Sequence, residues 1–134
     1  MTTRPQTHFI AVGLGGALGG GSRYLLTLLP GATYPAAILA INVLGSLALP
    51  LIAQYALPRY RANARTRLLI TTGAISSFTT FSAISGEMVQ HVSSGASGSA
   101  ALYVAVTFAA GLVAAALGHY LAGRWSSNMS EGHR

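Results

Sequence analysis

The chain has 134 residues, of which 51% are hydrophobic and only 7% charged. A soluble domain carries about 25% charged residues, so this composition excludes an ordinary water-facing surface and points to one membrane-inserted domain. The net charge is +6, every basic residue is Arg, and the absence of Cys excludes both a disulfide framework and a thiolate metal site.

A bilayer core of about 30 Å needs about 20 helical residues. Four apolar windows meet that length, at 9–29, 35–57, 68–92 and 101–121. The expected fold is therefore an all-α membrane protein with four transmembrane helices per subunit, in a single domain spanning 1–134. The connections are short, so consecutive helices should run antiparallel. Residues 93–99 read as a Ser/Gly-rich turn, and 126–134 as a polar tail that frays. The first seven residues carry one Arg and run into a window long enough to remain as a span, so no cleavable signal is expected.

The first window holds Gly13, Gly15, Gly16, Gly19, Gly20 and Gly21. A dinucleotide-binding fingerprint fails here, because Leu18 stands where its third glycine belongs. Gly15 with Gly19, and Gly16 with Gly20, instead form two small-xxx-small faces suited to close helix approach. Gly111 and Gly118 suggest the same in the fourth window. Arg23 lies late in the first window, where it can snorkel outward and favour the helix C-terminus.

Asn42 sits inside the second window and must find partners at that depth. Interhelical glue is the ordinary reading. Its two N–H donors also suit an anion path.

The third window is crowded with hydroxyls: Thr71, Thr72, Ser76, Ser77, Thr79, Thr80, Ser82 and Ser85. A buried hydroxyl without a partner costs about 2–7 kcal/mol, and so many exceed what glue requires. They compete with the backbone for hydrogen bonds, so this helix should break near the membrane midplane and free carbonyls for a cation. Phe78 and Phe81 flank the hydroxyls; an aromatic rim is electropositive and can face an anion, although packing is the commoner use. Glu87 is the acid inside a window. It either pairs with Arg23 or reaches interfacial water separately, and the two readings stand side by side. None of the four histidines has a metal-ligand partner at helical spacing.

With four spans, Arg4, Arg59, Arg61, Arg65, Arg67, Arg124 and Arg134 share one side, and Arg23 lies on the other. That bias places both termini and the 59–67 loop in the cytoplasm of a multi-pass cell-membrane protein. Membrane lipid, and not nucleic acid, is the partner that this clustering of arginines implies.

Three segments resemble the Fluc (CrcB) fluoride channel family across essentially the whole chain. They are Gly20-Gly21-Ser22-Arg23-Tyr24, Leu39-Ala40-Ile41-Asn42-Val43-Leu44-Gly45, and Ile70-Thr71-Thr72-Gly73 followed by Phe78-Thr79-Thr80-Phe81-Ser82, with Glu87 soon after. The resemblance implies a passive channel that exports fluoride and relieves its toxicity. It implies a dual-topology antiparallel dimer with two pores and a central structural sodium ion. It places Asn42, Thr80, Phe81, Ser82, Tyr103 and Thr107 along a pore, with Arg23 and Glu87 in structural roles. It assigns the sodium to the backbone carbonyls of Ser76 and Thr79. No organic cofactor and no enzymatic activity are implied.

The departures from the family pattern matter. Ile84 replaces a second pore Phe, Ser76-Ser77 replaces Gly-Gly, Ala37-Ile38 replaces Gly-Thr, and Gly111 replaces a small hydroxyl residue. Ile has no aromatic edge, so one pore wall would be deficient. The arginine bias also disfavours insertion in both orientations, which favours a heterodimer with an oppositely oriented related subunit over a homodimer. Two alternatives remain: a non-conducting structural subunit, and a small multidrug-type proton-coupled transporter. The second needs a carboxylate in the first helix, and this chain has none there.

Overall fold

The computed structural model describes residues 5–31 and 33–131, with side chains described over 6–31 and 33–127. Arg4 and Arg134 lie outside these. The described residues are helical throughout apart from short connections.

Helix α1, Pro5–Thr27, ends as the expected first span does, before Pro30-Gly31. Its last turn tightens: Leu28 N donates to Leu25 O at 3.2 Å, and Gly31 follows with φ of +83°. Helix α2, Tyr34–Arg59, begins with Pro35 in its first turn, where a missing N–H costs nothing. Pro50 has no N–H to return to the carbonyl of Ser46, and the helix widens to π geometry over Leu51–Ala56. It closes at Tyr60 and Arg61. Arg61 adopts φ of +48°, and Ala62 N reaches back to Leu57 O at 2.9 Å, the six-to-one bond that caps orphan carbonyls.

Asn63 caps helix α3, residues 64–78, by accepting from Thr66 N at 3.0 Å. Most of α3 is π-helical, over Leu68–Ile75. Two hydroxyls compete with its ladder: Thr71 Oγ1 donates to Arg67 O (2.8 Å) and Ser76 Oγ to Thr71 O (3.3 Å). The helix stops at Phe78, Thr79 is extended with ψ of 153°, and helix α4 resumes at Ser82–Ser93. Gly95, with φ of +78°, makes the turn into α5, Ser97–Glu131. That last helix runs ten residues past the expected end at 121. The 126–131 portion is helical rather than frayed, and Arg124 lies over the Tyr120 ring at 5.9 Å.

Three stretches are long and apolar enough to cross a membrane: Tyr34–Arg59, Ala64–Ser93 and Ser97–Ser127. Helix α1 has the length, at 23 residues, but its glycines and Arg23 lower its mean hydropathy.

Helix α1 packs on the π-helical part of α3, and α2 packs on α5. The first contact uses the Gly15/Gly19 face. A Cβ at Gly15 would lie 2.9 Å from the Gly73 Cα, and one at Gly19 would run into the Ala74 carbonyl. The Gly16/Gly20 face is used less: Gly16 meets only the Ser77 hydroxyl, and Gly20 faces open space. Gly118 does for α5 what Gly19 does for α1, because a Cβ there would sit 2.5 Å from Leu47 O. A small apolar core of Ile38, Ile41 and Ile84 ties α2 to α4, with Tyr103 and Val104 of α5 against it. Large apolar side chains such as Phe9, Leu18 and Leu112 are exposed, as a lipid-facing surface requires.

Candidate functional site

The interruption at 79–81 organises the site. Asn42, buried on α2, faces it and pairs with both backbone groups of Thr80. Its Oδ1 accepts from Thr80 N at 2.8 Å and its Nδ2 donates to Thr80 O at 3.0 Å. This is an amide standing in for a neighbouring peptide unit, and it satisfies polar groups that the broken helix would leave unpaired. An amide nitrogen carries two hydrogens, so one Nδ2–H remains for another acceptor.

The side-chain bonds around the break also release two carbonyls. Thr80 N would ordinarily return to Ser76 O, but Asn42 Oδ1 takes it. Ala83 N would ordinarily return to Thr79 O, but Thr80 Oγ1 takes it at 3.3 Å. The Ser76 carbonyl keeps a long bond from Thr79 Oγ1, at 3.3 Å. Two oxygens close in sequence are thereby freed from the helical ladder, and such oxygens suit a hard cation. Among the described residues, no group of three His, Cys, Asp or Glu is placed to hold a metal.

Two cavities border this segment. One, of about 450 Å³, is lined by Asn42, Ser46, Thr80, Phe81, Thr107 and Phe108, with Ser76, Thr79 and Ile84 also on its wall. The other, of about 630 Å³, is lined by Arg23, Tyr34, Ser82, Glu87 and Gln90 among others. Thr80 on the wall of the first and Ser82 on the wall of the second have hydroxyls 3.1 Å apart. One hydrogen serves that contact, so the pair has a second hydrogen to offer.

Phe81 is 65% exposed and meets Phe108 edge-on, with centroids 6.1 Å apart. Thr107 is buried, and its hydroxyl donates to Tyr103 O at 2.8 Å. Tyr103 lies off the cavity that holds Asn42: it packs on the isoleucine core and donates from its hydroxyl to Pro35 O at 3.3 Å. Ile84 is 6% exposed, so most of its surface is spent on Ile38 and Ile41 and a fraction faces the cavity. Arg23 and Glu87 line the same cleft without an ion pair within 4.0 Å, among the described residues.

Sequence reasoning passed over Ser46 and Phe108. Both carried a signal. Ser46 lies one helical turn after Asn42 and so shares its face, and Phe108 adjoins Thr107. Elsewhere Gln54 Nε2 and His119 Nδ1 lie 2.8 Å apart between α2 and α5, and Tyr55 meets Trp125 edge-on. These contacts hold the two helices together away from the cavities.

Residues 10–119 match the family described as CrcB-like protein, Camphor Resistance (CrcB). The chain is 39% identical over 118 residues to a protein of Listeria monocytogenes serotype 4b (strain F2365) named fluoride-specific ion channel FluC 2, covering 87% of this chain and 92% of that one. It is 42% identical over 119 residues to a protein of that name from Symbiobacterium thermophilum, covering 85% and 96%. A fluoride-specific ion channel FluC of Roseiflexus sp. (strain RS-1) is 37% identical over 115 residues, covering 83% and 93%.

Proposed function

We propose that this chain, which belongs to the CrcB family of ion channels, is a passive fluoride-specific channel subunit that exports the anion from the cytoplasm. The observation that carries the reading is the 450 Å³ cavity at the break, whose lining holds an amide, hydroxyls and two aromatic rims but no carboxylate. Fluoride is small, hard and strongly hydrated. A path for it must replace water with donors, and it must do so weakly enough to let the ion leave. The spare Asn42 Nδ2–H, the spare hydrogen of the Thr80–Ser82 pair and the edge of Phe81 are uncharged donors of that kind. Carboxylates would repel the anion, and a deep arginine would retain it.

In this reading α1 is a fourth span, made less apolar by the glycines that let it approach α3. The chain is then one antiparallel four-helix domain. Its arginines orient both termini to the cytoplasm. A second subunit of opposite orientation would cover the exposed rim of Phe81, and the arginine bias favours a related partner over a second copy. Tyr103, Thr107, Arg23 and Glu87 then border the path or brace it, and Ile84 with Ile38 marks a wall that the partner's pore furnishes differently.

The freed carbonyls of Ser76 and Thr79 fit the oxygen-only donor set of a structural sodium ion. When bound, that ion supplies positive charge that holds broken helices in place without a fixed side-chain cation.

The test is fluoride efflux from liposomes, read by a fluoride electrode after a potassium ionophore releases the counter-charge. We expect efflux from the chain together with a related subunit of reversed loop charge. Robust efflux from the purified chain alone would refute the heterodimer and keep the channel. Impermeable vesicles in both cases would overturn the channel.

A further inference from the structure

The hydroxyls around the 450 Å³ cavity differ in whether their hydrogen is available. Ser76 Oγ donates to Thr71 O, Thr79 Oγ1 is shared between Ile75 O and Ser76 O, and Thr107 Oγ1 donates to Tyr103 O, all nearby backbone carbonyls. Thr80 Oγ1 is shared with Ser82 Oγ and with Ala83 N. Ser46 Oγ has no hydrogen-bond partner among the described residues.

A serine inside a helix can bond the carbonyl four residues back, and Ser46 does not. The surroundings of Ser46 keep its hydroxyl free. Across the cavity stands Gly111 of α5, which contributes no side chain; a Cβ placed there would lie 3.5 Å from Ser46 Oγ. The hydroxyl therefore looks onto open volume rather than onto packed atoms. It also lies one turn along α2 from Asn42, on the same face, and the Asn42 Nδ2 has one hydrogen that Thr80 does not use.

We infer that Ser46 is an anion-coordinating residue: its O–H and the second Nδ2–H of Asn42 form a two-donor row along α2 that holds a dehydrated fluoride in this cavity. The inference rests on the channel reading and adds to it a donor that the sequence analysis did not assign. The row lies on one helix, so its spacing is set by helical geometry. Gly111 leaves room for the ion between α2 and α5.

The experiment uses the reconstituted channel, with its partner subunit if the pair is what conducts. Ser46→Ala deletes one oxygen and leaves the helix intact. Losing a hydrogen bond to a charged group should slow fluoride efflux about tenfold or more, with no change in elution volume or melting temperature. Gly111→Ser, added to Ser46→Ala, returns a hydroxyl to the same volume from the facing helix and should restore most of the rate. A conducting parent whose Ser46→Ala variant conducts equally overturns the inference alone. So does a slowed variant that Gly111→Ser leaves slow, because the oxygen would then matter to packing rather than to the ion. A silent parent overturns the channel reading and this inference with it.

Discussion

The Asn42 side chain closes a two-bond ring on the backbone of Thr80, accepting from its N–H at 2.8 Å and donating to its C=O at 3.0 Å. The two residues are 38 apart in sequence and belong to different helices. One side chain thus lets the chain break inside an apolar environment, where an unpaired peptide group is costly.

Asn42→Ala should therefore damage stability as well as transport. Both Thr80 groups lose their partner, and each unmet buried group costs about 1–3 kcal/mol. A melting curve in detergent should shift down clearly, and fluoride efflux should fall to background. A variant that melts like the parent would show that the break supports itself.

Phe81 should separate the two effects. It is 65% exposed within the subunit, and its contact is one edge-on ring, worth about 1 kcal/mol. Phe81→Ala should barely alter the melting temperature of the isolated subunit, yet it should depress efflux strongly in vesicles. Equal efflux from the two proteins would remove the aromatic rim from the path.

The glycine contacts predict a sharp contrast between neighbours. Gly19→Ala drives a methyl into the Ala74 carbonyl, whereas Gly20→Ala meets nothing within 4 Å. The first should cost about 1–3 kcal/mol and lower the yield of monodisperse protein. The second should elute and melt as the parent does. Size-exclusion profiles of the two variants decide the matter.

Arg23 and Glu87 line one cleft but make no ion pair within 4.0 Å. A double-mutant cycle with Arg23→Gln and Glu87→Gln should give a coupling energy below about 1 kcal/mol in thermal unfolding. A coupling of several kcal/mol would restore direct pairing.

Much of this architecture is legible in the residues. The windows at 35–57, 68–92 and 101–121 lie within the three stretches that are long and apolar enough to cross a membrane. The Gly15/Gly19 spacing marks the true contact, and the crowded hydroxyls mark the interruption after Phe78. What periodicity misses has physical causes. The π-helical stretches arise where Pro50 withholds an N–H and where Thr71 and Ser76 compete for carbonyls, neither of which alters hydropathy. The place of Ile84 depends on Ile38 and Ile41 arriving from another helix. The availability of Ser46 depends on what Gly111 omits across a gap.

The wide turns over Leu68–Ile75 hold more residues per revolution than an α-helix does. Adding or removing one residue there while the pitch stays as it is would swing everything downstream by about a quarter turn around the axis, carrying Thr80 away from Asn42. Insertions and deletions in this stretch should thus be far more damaging than apolar substitutions, since the count of residues here acts as a gauge that sets the bearing of all that follows.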